Sequence, residues 1–449
     1  MLYPGWYQGG VRPPIFVQRL RIIMPKIISA SELPNLLQPG LTVFVQGAVG
    51  EPLALCQALA DGGEASRGVN YVSCMVPGIN KTDFAAFHDD ARLTAFFVQA
   101  ELRQSFGLGK IRFIPLHYSG ICSYMQRHDP MDMVLMQVAP PDENGMCSLG
   151  LSIDFVPMVL DQAKVVVAEV NAAMPSPPGS PKIPYDRLDY VVETNRTLPE
   201  MPTGDVPQVI GTIGRKVAEL INDGDCIQIG IGKVPAAILA SLKDRKNLGL
   251  HGGMATDEVA DLVDCGALNG SKKSIDTHYM ICGAAMGTHR VFDWAADRDD
   301  IIFKGADYTH NVPIIAQVDN FVSINSTLEV DLTGQANSET VGGRQISGTG
   351  GLVDFVRGAR MGNNSRSVLA LSSTAAKGKI SRIVPTLSPG AAVSCPRADI
   401  DYVVTEFGAA RLKDKSVDER AEALIAIADP SFHDELQRQW RAQRLIMGG

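Results

Sequence analysis

From Met24 onward the chain alternates between two patterns of apolar positions. Short β-branched runs read as strands buried on both faces: "LTVFVQG", "DMVLMQVAP", "AKVVVAEV", "RLDYVVE", "CIQIGIG", "IIAQV", "NFVSIN" and "SVLALSS". Between them, "PLALCQALADGG", "VPAAILASLKD" and "ATDEVADLVDCGAL" carry apolar residues at helical spacing. The alternation predicts an α/β fold with mostly parallel strands. "RLDYVVETN" (187–195) is echoed by "DIDYVVTEFG" (399–408), each following an apolar strand, "AKVVVAEVN" in one case and "RSVLALSST" in the other. A repeated supersecondary unit predicts two related open α/β domains rather than one large sheet. The stretch 173–205, dense in proline and glycine, suits an inter-domain connection interrupted by one short strand. The expected division is a tail over 1–25, an N-terminal domain with its linker over 26–205 and a C-terminal domain over 206–449.

Length agrees with that division, since 449 residues exceed one ordinary core. A formal charge of −8 argues against nucleic acid or an anionic membrane as the main partner, while leaving room for a polyanionic ligand in a local basic pocket. No window approaches the roughly 18 apolar residues of a membrane helix. The first 23 residues hold three arginines and no acid but lack the apolar block of a signal peptide, and read as a tail upstream of an alternative start at Met24. The eight cysteines contain no C-x-x-C pair, which points away from a zinc site or a disulfide framework and towards reduced, buried thiols in a cytoplasmic protein. No metal site is expected.

Candidate chemistry gathers in loops that follow predicted strands, where open α/β sheets bind ligands. In "FVQGAVGEPLALCQAL", Glu51 stands either as a carboxylate supporting the helix that Pro52 opens or as one aimed into a cleft. In "IQIGIGKVPAAIL", Gly230 and Gly232 let backbone amides approach phosphate or a developing oxyanion. The third glycine and the downstream acid of a dinucleotide fingerprint are missing, which leaves an NAD(P) oxidoreductase as a distant alternative. In "NLGLHGGMATDEVADL", the pair Gly252-Gly253 with Met254 would bring backbone close to a ligand, and His251 is the only histidine in a candidate loop. Asp257 and Glu258 beyond it fall in a first helical turn, where acids favour the helix start. Asn325 ends a strand, and Gly348-Thr349-Gly350-Gly351 offers a cluster of amides or a glycine-rich surface loop. Lys377, Lys379 and Arg382 form a solvated basic turn or a grip on phosphates.

Ten segments in order over Thr42–Leu436 resemble the acetyl-CoA hydrolase and 4-hydroxybutyrate CoA-transferase group of family I CoA-transferases. They are "GAVGEP", "APPDENGMCSLGLSIDF", "VVAEVNAAMP", "IQIGIGKVP", "LGLHGGM", "INSTLEVDLTGQANSE", "SGTGGLVDF", "SSTAAKGKISRIVP", "DYVVTEFGAARLKDKSVDERAEALI" and "IADPSF". The resemblance implies two α/β domains with the active site in the cleft between them, and acyl-CoA and small carboxylic acids as substrates with no permanently bound cofactor. In such enzymes a glutamate attacks the thioester, and amides stabilise each oxyanion. Gln228, Asn325, Gly350 and Gly351 match the family positions for those amides, while Gly230, Gly232, Gly252, Gly253, Met254, Lys377 and Lys379 are the expected CoA contacts.

Two positions depart from the family. The glutamate slot of its His-x-Glu-Met pattern holds Gly253, and Leu352 stands where a polar amide often follows the Gly-Gly. Either Glu51 attacks from the opposite domain, or the acceptor acid reacts directly, or transfer has been lost and the protein hydrolyses or only binds acyl-CoA. "GEP" also occurs in relatives that keep the glutamate, which is consistent with a structural Glu51. The His-Gly-Gly-Met variant resembles the itaconate CoA-transferase branch, implying succinyl-CoA as donor and itaconate as acceptor, with 4-hydroxybutyrate and acetate as other acids. A homo-oligomer, a dimer, is expected.

Overall fold

In the computed structural model, residues 24–127 and 131–448 are described, so all but Met24 and Pro25 of the expected tail lies outside them. The N-terminal half is an eight-stranded sheet. Its spatial order is Lys26–Ile27, Tyr190–Thr194, Val165–Asn171, Met133–Val138, Thr42–Val45, Asn70–Ser73, Arg92–Ala95 and Ile111–Phe113. Every neighbouring pair is parallel. All six residues of Met133–Val138 are buried, as a parallel sheet covered on both faces requires, and this explains why its run is apolar except for Gln137.

The C-terminal half carries a six-stranded sheet in the order Gly249–Leu250, Cys226–Ile229, Phe321–Ser326, Arg366–Ala370, Tyr402–Thr405 and Gly408–Arg411. Only the last pair is antiparallel. The fold is therefore α/β with two mostly parallel open sheets, as the alternation of patterns predicts.

The echoed segments occupy matching places. Tyr190 lies beside Val167 and Tyr402 beside Val368, each on the strand that follows and parallels a buried apolar one. The proline-rich stretch is more ordered than a linker: Lys182–Pro184 pairs antiparallel with Met146–Ser148, and Tyr190–Thr194 joins the large sheet. "IIAQV" is not a strand. Asn311 caps a helical turn, Val312–Ile315, by accepting from the Ile314 amide, and Ile315 and Val318 pack with Phe321 and Phe355. A five-residue apolar run has no periodicity to separate the two outcomes, and the Asn cap with Pro313 behind it decides for helix.

Each sheet reverses its direction of growth once. The N-terminal sheet does so between Thr42–Val45 and Met133–Val138, and the C-terminal sheet between Cys226–Ile229 and Phe321–Ser326. The carboxyl ends of strands at such reversals open a crevice for ligands. One buried apolar cluster runs through both halves, joining Phe44 and Val134 to Ile227, Ile238 and Val322, so the crevices share a continuous wall.

Candidate active site

A cavity of about 330 Å³ lies where the two halves meet. From the N-terminal half it is lined by Val76, Pro77, Phe97, Tyr118 and Asp154. The strand ends of the C-terminal reversal supply Gln228, Ile229, Gly230, Asn325 and Ser326, and the loops add Gly253, Met254, His310 and the run from Ser347 to Leu352.

Parallel register sets Gln228 beside Ser323, two residues before Asn325. Asn325 Nδ2 donates to Gln228 Oε1 (3.1 Å) and to Ser323 Oγ (3.0 Å), and Gln228 Nε2 donates to Asn325 Oδ1 (3.4 Å). The two amides hold each other at the cavity edge, and an amide NH₂ has a second hydrogen, which Gln228 can offer to a ligand oxygen.

Gly350 has φ +56° and Gly351 stands at the N-cap of the helix Leu352–Met361, with no side chain capping its first amides. Those amides and the helix dipole favour negative charge at this end of the cavity. The loop is pinned to the N-terminal half. The Tyr118 amide donates to the Gly350 carbonyl (3.1 Å), Thr349 Oγ1 to the Leu116 carbonyl (2.9 Å), and the Ser119 amide and hydroxyl to Asp354. A methyl group at Gly351 would overlap the His310 ring, and one at Gly348 would overlap the Phe96 carbonyl. Close approach, rather than turn geometry, requires glycine at these two positions.

His310 is 4% exposed and stacks between Tyr118 (centroids 4.3 Å apart) and Phe355 (4.6 Å). Its Nδ1 is paired with Thr309 Oγ1, and burial pushes its pKa down to about 3, so the ring is neutral at physiological pH. A Cβ at Gly253 would lie 3.3 Å from His310 Cε1 and 3.4 Å from Nε2. The glutamate slot is thus open to the cavity, and His310 stands against it. Neither Gly252 nor Gly253 has a positive φ.

Of the residues singled out in the sequence, Gln228, Gly230, Gly253, Met254, Asn325, Gly350 and Gly351 come together around the cavity. Of the expected catalytic and CoA-contact residues, five do not line it: Glu51, Gly232, Gly252, Lys377 and Lys379. Glu51 is 2% exposed and follows the reversal in the N-terminal sheet, where its Oε2 accepts from Asn80 Nδ2 (2.9 Å) and its backbone carbonyl from Arg196. Burial raises its pKa, opposed by hydrogen bonds to Asn80 and Thr82. Glu51, expected to face the cleft across from the Gly-Gly loop, has its carboxylate bonded to Asn80 and is not among the residues lining the cavity. Pro52, not Glu51, is the N-cap of Leu53–Asp61.

Gly232 (φ +105°) starts the helix Lys233–Ala240 and borders a smaller hollow with Asp257 and Glu258. Gly252 is packed against Gln228. Lys377 and Lys379 are exposed in the turn between Thr374–Ala375 and Ile380–Ser381, outside the cavity lining. Asp257 accepts from Thr288 and Glu258 from Thr203 and Thr256, so both acids are engaged in the helix start. His251 is fully buried with its pKa pushed down to about 3 and does not reach the cavity.

Sequence reasoning missed Asp154, Tyr118 and His310. Asp154 sits inside "APPDENGMCSLGLSIDF", without a glycine-rich loop or helix start to mark it. His310 follows "ADYT", a helical turn (Ala306–Thr309) with no site signature of its own.

Two crevices at the carboxyl ends of parallel strands, sharing a cavity edged with amide donors, mark this α/β fold as one with a ligand cleft between its halves. The chain belongs to the acetyl-CoA hydrolase/transferase family. The model of that family's N-terminal domain matches residues 22–202 and that of its C-terminal domain residues 287–440. Gln228 and Gly253 lie between the two matches. The 4-hydroxybutyrate coenzyme A transferase of Clostridium kluyveri is 37% identical over 94% of this chain and 98% of its own. The succinyl-CoA:cyclohexane-1-carboxylate CoA transferase of Geobacter metallireducens is 34% identical over 94% and 96%. The crystal structure of RipA from Yersinia pestis superposes with a TM-score of 0.88 at 32% identity, over 94% of this chain and 98% of that one. The protein is an enzyme of the CoA-transferase class.

Proposed function

We propose that the protein passes CoA between short carboxylic acids at this cavity, and that monocarboxylic acids such as acetate and 4-hydroxybutyrate are preferred over the succinyl-CoA and itaconate pair. The observation that carries the reading is the composition of the cavity wall. Gln228, Asn325 and the amides at Gly350–Gly351 supply donors for an oxyanion, and among the described residues no arginine or lysine lines the cavity. A second carboxylate on the substrate would lose its water there without a cationic partner, a cost that a bidentate arginine normally offsets. Ser326, Ser338, Ser347 and Thr349 line the same wall and suit an acid whose far end is neutral and polar. In this reading CoA enters with its thioester at Gly253, Met254 and Gly230, and Lys377 and Lys379 meet its phosphates outside the cavity. A cytoplasmic homodimer goes with it.

Gly253 favours a second reading. Without a side chain there, the space beside His310 admits water, and the thioester would be hydrolysed instead of exchanged. Rates with acetyl-CoA plus 4-hydroxybutyrate, with succinyl-CoA plus itaconate, and with each thioester alone separate the cases. Faster exchange with the first pair supports the proposal. Exchange confined to the second pair overturns the monocarboxylate preference, and CoA release independent of any acceptor overturns transfer.

A further inference from the structure

Among the residues lining the cavity, one carries a carboxyl group: Asp154. Its backbone is clamped between the two halves of the molecule. The Ile153 amide donates to the Gly283 carbonyl (2.9 Å) and the Ala306 amide to the Asp154 carbonyl (2.9 Å), while Gln46 Nε2 donates to the Ser152 carbonyl (2.9 Å). Asp154 itself is held at φ +35°, a left-handed conformation that few side chains adopt and that aspartate and asparagine tolerate best. Non-glycine residues in such strained positions concentrate at functional sites.

The clamp brings this carboxyl close to the backbone of Gly283, which in turn bonds to Gly253. The Gly253 carbonyl accepts from the amides of Gly283 (2.9 Å) and Ala284 (3.0 Å). A Cβ built on Gly283 would stand 3.0 Å from Asp154 Oδ1 and 3.1 Å from the Gly253 carbonyl oxygen. Glycine at 283 therefore leaves room for the Asp154 carboxyl beside the Gly253 carbonyl. Burial pushes the Asp154 carboxyl up to about 7, opposed by Ser152.

We propose that Asp154 is the catalytic carboxylate of this enzyme, taking over covalently the role left vacant at Gly253. The inference rests on the CoA-transfer reading above and names the residue that performs it. A carboxylate oxygen of Asp154 attacks the thioester carbonyl carbon, the C–S bond breaks, and CoA leaves as thiolate from an acyl–aspartyl anhydride. The thiolate attacks Cγ of Asp154, releasing the first acid as its carboxylate and leaving an aspartyl-CoA thioester. The incoming carboxylate attacks that thioester at Cγ and expels CoA thiolate, giving a second anhydride. The thiolate attacks its acyl carbon, which frees Asp154 and the new acyl-CoA. The Gln228 amide and the first amides of Leu352–Met361 face the oxyanion of each step.

The test incubates the whole protein with acetyl-CoA and no acceptor, quenches it, and maps peptides by mass for bound CoA. CoA on the peptide containing Asp154 is the expected result. Asp154→Asn, which keeps shape and tolerates the left-handed backbone, should lose the adduct and at least about 1,000-fold of the exchange rate while binding CoA with unchanged affinity. CoA on another residue, or exchange in the wild type with no adduct, overturns the assignment and leaves CoA transfer standing. Hydrolysis without exchange and without an adduct overturns both.

Discussion

Replacing Asp154 by asparagine should stabilise the fold at neutral and alkaline pH while removing activity. Burial lifts the Asp154 carboxyl from its ordinary 3.8 to about 7. At 1.36 kcal/mol per pH unit, that corresponds to about 4 kcal/mol favouring the neutral over the charged form. The folded state therefore binds this proton more tightly than the unfolded state, so stability falls as pH rises from about 4 to about 7, and the full cost is present above 7. Asparagine is neutral throughout and accepts the left-handed backbone. The variant's advantage over the wild type should grow by about 2–3 kcal/mol between pH 5 and pH 8. Urea unfolding of both proteins at the two pH values measures it. An advantage that does not change with pH, or a variant less stable than the wild type at pH 8, would refute the argument that a charged carboxylate is held here at a cost in stability. Such a cost at an active site is the usual exchange of stability for function.

Three further substitutions probe the rest of the cavity. Asn325→Ala removes the partner that orients Gln228 and should lower kcat by about 100-fold or more, with thermal stability nearly unchanged; a loss below threefold would show that these amides do not face the reaction. Gly351→Ala drives a methyl group into the His310 ring, and overpacking of about 1–3 kcal/mol should appear as a lower denaturant midpoint together with weaker CoA-thioester binding, whereas a neutral variant would mean that the ring can move aside. Glu51→Gln should leave kcat within about tenfold of the wild type, because the side chain answers to Asn80 instead of the cavity. A loss of the size expected for a covalent carboxylate, about 1,000-fold or more, would return Glu51 to the chemistry.

The sheets were readable in the sequence because their strands are buried on both faces and are apolar but for a single glutamine each, as in Met133–Val138 and Cys226–Ile229. Half-exposed strands such as Arg92–Ala95 leave no such trace. The C-terminal side of the cavity was legible through Gln228, Asn325 and Gly350–Gly351, since strand ends and glycine pairs are local signals. Glu51 and Asp154 show why the rest was not. Glu51 has the local marks of a site residue, a strand end before a helix, yet Asn80, 29 residues further on, takes its carboxylate. Asp154 lies in a turn with no sequence signature and is placed at the cavity through contacts of its segment with Gln46, Gly283 and Ala306, which no local pattern encodes. The same holds for His310, placed beside the Gly253 slot by the folding of a distant segment.

The claim that CoA is exchanged between carboxylic acids in this cavity is tested most directly by incubating the protein with acetyl-CoA and labelled acetate. Label is expected to enter acetyl-CoA with no net release of CoA. Free CoA accumulating while acetyl-CoA stays unlabelled would contradict the account.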